Sequence, residues 1–242
     1  MKKLFFRVFL LLGISSLHAC QTLTKIPLTD VPPLIRMEKG MSMGRYPVYE
    51  ITIYNNQIAE YKGRRYTPKL GTWVKKLDEA EWQTLQQQIK STNIWQYPSF
   101  IRSNIPDLPL VSITQFDGED SKTVTGKEAR PDPIMALEQS LESLSNREGW
   151  VLKEAIDFEL PGGVMPNQLR IELKPGVYVS NWIYRYAKQE MQLLTELPDK
   201  SNYWLVSYNP TVIFPKEMEK LLNYDDLVVS YSFNPTAKKK KR

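Results

Sequence analysis

The chain has 242 residues, 42% of them hydrophobic and 11% aromatic, enough to bury one or two domain cores. Its 11 glycines, 17 prolines and 24% charged residues exclude collagen-like and low-complexity classes. The single histidine, His18, and the single cysteine, Cys20, both fall in the first twenty residues, so a chain processed there keeps neither imidazole nor thiol. That excludes Ser-His-Asp and Cys-His catalysis, internal disulfides and zinc sites built on His or Cys.

Residues 1 to 19 have the layout of a secretory signal: Lys2, Lys3 and Arg7 form a basic head, Val8 to Leu12 an apolar middle, and the stretch ends in small residues. The apolar run is too short for a permanent transmembrane helix, which needs about twenty residues. Leu17-His18-Ala19-Cys20 resembles the lipobox of bacterial lipoproteins. That resemblance implies recognition of Leu17 and Ala19 by the signal peptidase and cleavage before an acylated Cys20. Several acyl chains on one residue make such an anchor durable, since each buried methylene contributes about 0.8 kcal/mol. Without Lys2, Lys3 and Arg7 the chain has 29 basic against 27 acidic residues, and five of those 29 lie in the tail Lys238 to Arg242. The body is therefore slightly acidic and no nucleic-acid partner is expected.

Residues 20 to 33 read as the lipidated cysteine and a proline-containing tether. From 34 to 146 the pattern predicts an α+β domain. Tyr49, Ile51 and Ile53 alternate with Glu50 and Thr52 in a strand, Asn55-Asn56 turns a hairpin, and Ile58 to Tyr61 returns. Asp78 and Glu81 have the spacing of a capping box ahead of the stripe Trp82, Leu85, Ile89. Val111 and Ile113, the turn Asp117-Gly118 and Thr123 to Thr125 predict a second hairpin. Pro133 opens a second helix whose apolar side is Ile134, Leu137, Leu141 and Leu144. Asp117 to Asp120 is a hairpin turn in this reading and not a calcium loop, and no metal or cofactor is expected.

Residues 147 to 166 read as a connector. From 167 to 235 the pattern predicts a ferredoxin-like βαββαβ domain, with strands at Leu169 to Leu173, Leu193 to Leu197, Tyr203 to Tyr208 and Leu227 to Phe233. Ser180 is its expected helix cap, and Ile183, Ala187 and Met191 the apolar side of that helix. Residues 236 to 242 are a basic tail. The predicted fold class is thus α+β, two small domains: an antiparallel hairpin sheet with two helices, then the ferredoxin-like sandwich. Period-two alternation places Leu169, Ile171, Leu173, Trp204, Val206, Val229 and Tyr231 toward the helices. It places Arg170, Glu172, Tyr203, Leu205 and Val228 on the outer face, as partner-binding candidates.

Ser42-Met43-Gly44-Arg45-Tyr46-Pro47-Val48-Tyr49 and Asp107-Leu108-Pro109 resemble the hallmarks of a domain of unknown function in secreted bacterial proteins. There the first stretch reads Cys-x-Gly-x-Cys-Pro-x-Tyr, so both family cysteines are replaced here, by Ser42 and Tyr46. Leu173-Lys174-Pro175-Gly176-Val177 and Val228 to Pro235 resemble the propeptide and inhibitor domains of subtilisin-type proteases. That resemblance implies a module whose outer sheet face packs on a protease. The expectation is a non-catalytic, lipid-anchored envelope protein, with the membrane as one partner through Cys20 and a protease or other envelope protein as another. It would sit on the periplasmic or surface side, at the outer membrane. Two other readings stand beside it: a carboxylate-dependent hydrolase of envelope glycans, needing two acids about 5 to 9.5 Å apart, and a purely structural lipoprotein.

Overall fold

The structure, a computed structural model, describes residues 31–103 and 105–236. They form two compact units, the first ending at Ile156 and the second beginning at Asp157. The α+β expectation of two small domains is corrected. Among the described residues twelve strands dominate, eight in one mixed sheet and four in another, and the α-helices number four.

In the first unit, β1 (Pro33–Lys39), β2 (Val48–Tyr54), β3 (Ile58–Arg65), β4 (Gly71–Lys76), β5 (Phe100–Ile101), β6 (Val111–Asp117), β7 (Asp120–Gly126) and β8 (Val151–Glu154) lie in the order β5-β7-β6-β1-β2-β3-β4-β8. The pair β5 and β7 is parallel and the other neighbours are antiparallel. The two hairpins of the sequence are therefore the middle of a wider sheet. Strand β1, at the centre of that sheet, begins at Pro33, the last residue of the expected tether, and the expected connector supplies the edge strand β8.

Helices α1 (Glu79–Thr92) and α2 (Asp132–Asn146) cover one face of that sheet. Ile35, Met37, Ile51, Ile53, Ile113 and Val124 meet Trp82, Leu85, Ile89, Ile134, Leu137 and Leu141 in one core. Burial of a large aliphatic side chain is worth about 1.5–3 kcal/mol, and that drives the layering. The cap of α1 is closed reciprocally: Glu81 N–H donates to Asp78 Oδ1 at 2.8 Å, and Asp78 N–H donates to Glu81 Oε2 at 3.1 Å. At the end of β1, Lys39 pairs with Glu138 at 3.4 Å and with Glu142, and buried Arg130 pairs with Glu138.

In the second unit, β9 (Val164–Leu173), α3 (Val179–Tyr184), β10 (Gln192–Glu196), β11 (Tyr203–Ser207), α4 (Pro215–Asn223) and β12 (Val228–Pro235) follow one another. The sheet order is β10-β11-β9-β12, antiparallel throughout. Leu169, Ile171, Leu173 and Val206 pack with Trp182, Tyr186, Met218 and Leu222. Helix α3 starts after Tyr178 and stops at Tyr184, so it is shorter than the sequence stripe suggests, and Ser180 is not its cap. Ala187–Gln189 is a 3-10 turn, and Met191 leads into β10.

Candidate functional site

The central strand β9 fixes the outer face of the second sheet, because its residues alternate between buried and half-exposed. Leu169, Ile171 and Leu173 face the helices, so Arg170 and Glu172 face away. Cross-strand register then adds the neighbours. Leu205 and Ser232 stand opposite Arg170 on either side, and Tyr203 and Ser230 stand opposite Glu172.

Polar bonds hold this face in place. Arg170 Nε donates to Asn234 Oδ1 at 2.9 Å, and Asn234 Nδ2 donates to Gln168 Oε1 at 2.8 Å. Lys200 Nζ and Ser230 Oγ both donate to Glu172 Oε2, at 2.9 and 2.8 Å. Those two bonds keep the Glu172 carboxyl below its ordinary range, and the same pairing raises Lys200. The Lys200 ammonium also lies 5.6 Å from the centre of the Tyr203 ring. Each long side chain is thus already ordered by a neighbour, which lowers the entropy lost when a partner docks.

Four of the five face residues expected from the sequence, Arg170, Glu172, Tyr203 and Leu205, stand together on this surface. Val228 does not. It pairs with Leu173 and packs against the core, while Val229, expected inside, is 55% exposed. The cause is a β-bulge: Leu173 pairs with Val228 but Glu172 pairs with Ser230, so Val229 is an extra residue and the inside-outside parity of β12 reverses there. Leu17, Ala19 and Cys20, and the basic tail Lys238 to Arg242, lie outside the described residues.

Carboxylate pairs were sought as the hydrolase reading requires. A groove of about 510 Å³ between α1 and α2 contains Asp78 and Glu81. Both belong to the capping box, and Glu81 also accepts from Lys75 at 2.7 Å and from Arg147 at 3.1 Å. Burial opposes ionisation of Glu81, but the bonds from Lys75, Asp78 and Arg147 outweigh it and hold the group below its ordinary range. On the sheet face away from the helices, Glu50 and Glu60 share Lys62, at 3.6 and 2.9 Å. Arg36 and Arg64 also face Glu50, and Lys153 faces Glu60. Neither pair offers the apolar surroundings that keep a general acid protonated. Among the described residues no group of three or more His, Cys, Asp or Glu is placed to hold a metal ion.

The two stretches that carry the unknown-function hallmark meet at one end of the large sheet. Ser42 to Pro47 lies between β1 and β2, Asp107 to Pro109 precedes β6, and Gly40 N–H donates to Leu110 O at 2.9 Å. The Tyr46 ring lies over Gly44, where a Cβ would come within 2.6 Å of it. Ser42 Oγ is buried without a hydrogen-bond partner among the described residues.

No curated protein matches the chain. Residues 33–145, from the first residue of β1 to the last turn of α2, match the family model described as domain of unknown function (DUF6438). This stretch of the first unit is therefore a DUF6438 domain.

Proposed function

We propose that the chain is a lipid-anchored protein of the cell envelope, without catalytic activity, that acts through protein contacts. In this reading Leu17 and Ala19 direct processing, acylated Cys20 is the anchor at the outer membrane, and the outer face of the second sheet receives the partner. One observation carries the reading: Arg170, Glu172, Tyr203 and Leu205 are in register on one face, with Arg170 held by its bond to Asn234 and Glu172 by bonds from Lys200 and Ser230. An aromatic and an arginine beside an aliphatic side chain, pre-ordered and ringed by polar groups, is the make-up of a protein-binding hot spot.

The partner class we assign is a subtilisin-type protease. The support is the Lys174-Pro175-Gly176 turn, where Gly176 takes a left-handed φ of 82°, and the Asn234-Pro235 end of β12. The test is titration of the purified mature chain against a panel of such proteases, read as binding and as slowed substrate cleavage. Binding to at least one, weakened about tenfold or more by Leu205→Asp and by Arg170→Glu, is the expected result. Absence of binding across the panel overturns the protease assignment. An affinity pull-down from envelope extract that also returns no protein leaves the structural lipoprotein in its place.

A further inference from the structure

The end of the large sheet where β1, β5 and β7 finish and β2 and β6 begin is unusually apolar for a surface. Met41, Met43, Tyr46, Phe100, Ile105 and Leu110 are 71, 88, 41, 56, 43 and 37% exposed. They belong to segments far apart in sequence that the fold joins. Gly40 bonds to Leu110, Phe100 pairs with Thr125 on β7, and Lys127 Nζ donates to Ile105 O at 3.2 Å. Within this end lies a groove of about 270 Å³ where Phe100, Ile101 and Leu110 stand beside Arg102 and Lys127 and no acid contributes to the lining. Asp107 and Glu128 are the acids on the surrounding loops.

We infer that this loop end is a membrane-contact surface for anionic lipid: its protruding methionine, phenylalanine and isoleucine side chains enter the interfacial layer, and Arg102 and Lys127 meet the lipid headgroup. Two arguments favour a bilayer over another protein. The first is charge: cations set directly against apolar side chains match a lipid that presents phosphate above hydrocarbon. The second is reach, and it rests on the anchored reading above. Cys20 lies thirteen residues before Pro33, a span of at most about 43 Å. Strand β1, seven residues long, covers about 23 Å. Its start is at the sheet end opposite these loops, so the tether is long enough for the loops to touch the bilayer that holds the anchor.

The experiment places an environment-sensitive dye on the full chain at Met43→Cys, and separately at Glu119→Cys in the β6–β7 turn at the opposite end. In an acylated chain the introduced thiol is the single free one. Reconstituted in vesicles of phosphatidylcholine with phosphatidylglycerol, the dye at 43 should shift to the blue and brighten, while the dye at 119 stays as in water. Arg102→Glu with Lys127→Glu should abolish the part of that response that depends on phosphatidylglycerol. A silent dye at 43, a response at 119 in its place, or a response at 43 only to lipid-free envelope protein overturns the inference. Mass spectrometry of the N-terminus separates this from the fate of the anchor. If Cys20 carries no acyl chain, the same labelled chain with Cys20→Ser is added to vesicles, and the dye at 43 again decides.

Discussion

The Tyr186 hydroxyl donates to Asp225 Oδ2 at 2.6 Å, tying the end of α3 to the loop between α4 and β12. Trp182 Nε1 reaches the same oxygen at 2.8 Å, and Arg185 Nη1 and Leu227 N–H both reach Oδ1 at 3.0 Å. The carboxylate is buried and has four donors. Burial alone would raise its pKa, yet the bonds from Tyr186, Leu227 and Trp182 and the Arg185 charge hold it below the ordinary value. Asp225→Ala, which strands the buried donors of Trp182 and Tyr186, should cost the second unit about 3 kcal/mol in denaturant unfolding. Because the folded pKa is depressed, this stability is present above the unfolded carboxyl value of about 3.9 and is lost as pH falls through the folded value. The acid limb of stability should flatten in Asp225→Ala.

At the alkaline end the sign is opposite. Burial pushes the Tyr61 hydroxyl up to about 12, against a smaller lowering effect of its bond with Thr67. The folded state therefore keeps a proton that the unfolded chain releases from about pH 10. Stability of the first unit should fall as pH rises from about 10 through 12, by about 1 kcal/mol at pH 11 from this group alone. Tyrosinate absorbance from Tyr61 should appear at higher pH in the folded chain than in the unfolded one, and the Tyr61→Phe variant should lose that part of the pH dependence.

Ser42→Ala should stabilise the first unit. The Ser42 hydroxyl is buried with no partner among the described residues, and removing a stranded polar group recovers about 1 kcal/mol. A melting temperature unchanged or lowered in Ser42→Ala would show that the hydroxyl is bonded in solution.

Gly63→Ala should be among the most damaging single substitutions. A Cβ on Gly63 would sit 1.6 Å from Lys69 O, backbone of the loop joining β3 and β4. Lys69 Nζ donates to Ser145 O at 2.8 Å, tying that loop to α2, so it is not free to retreat. A loss of about 3 kcal/mol or more is expected, read by thermal unfolding alongside Gly162→Ala as a substitution into open space.

Local signals were the legible part of this chain. The Asp78 and Glu81 spacing, the Asn55-Asn56 and Asp117-Gly118 turns and the stripe of Ile134, Leu137 and Leu141 each act through neighbours a few residues away. The breadth of the first sheet was not legible, because β1 and β8 acquire their strand character from distant partners: β1 lies between β2 and β6, and β8 pairs with β4. Pro32 and Pro33 ended the expected tether where β1 begins, and Pro161-Gly162-Gly163 made the stretch that holds β8 read as a connector. On the candidate face, period two located Arg170, Glu172, Tyr203 and Leu205, and it failed at Val228 because a bulge adds one residue without any glycine or proline to mark it. The Asp225 cluster was equally hidden, since its donors lie about forty residues upstream.

The envelope-anchored account meets its most direct test in the intact N-terminal peptide of the protein recovered from cells that export it. The account predicts a peptide beginning at Cys20 whose mass exceeds that of its amino acids by a diacylglycerol and any further acyl chain. An unacylated peptide beginning at Met1, or at any residue other than Cys20, would contradict it.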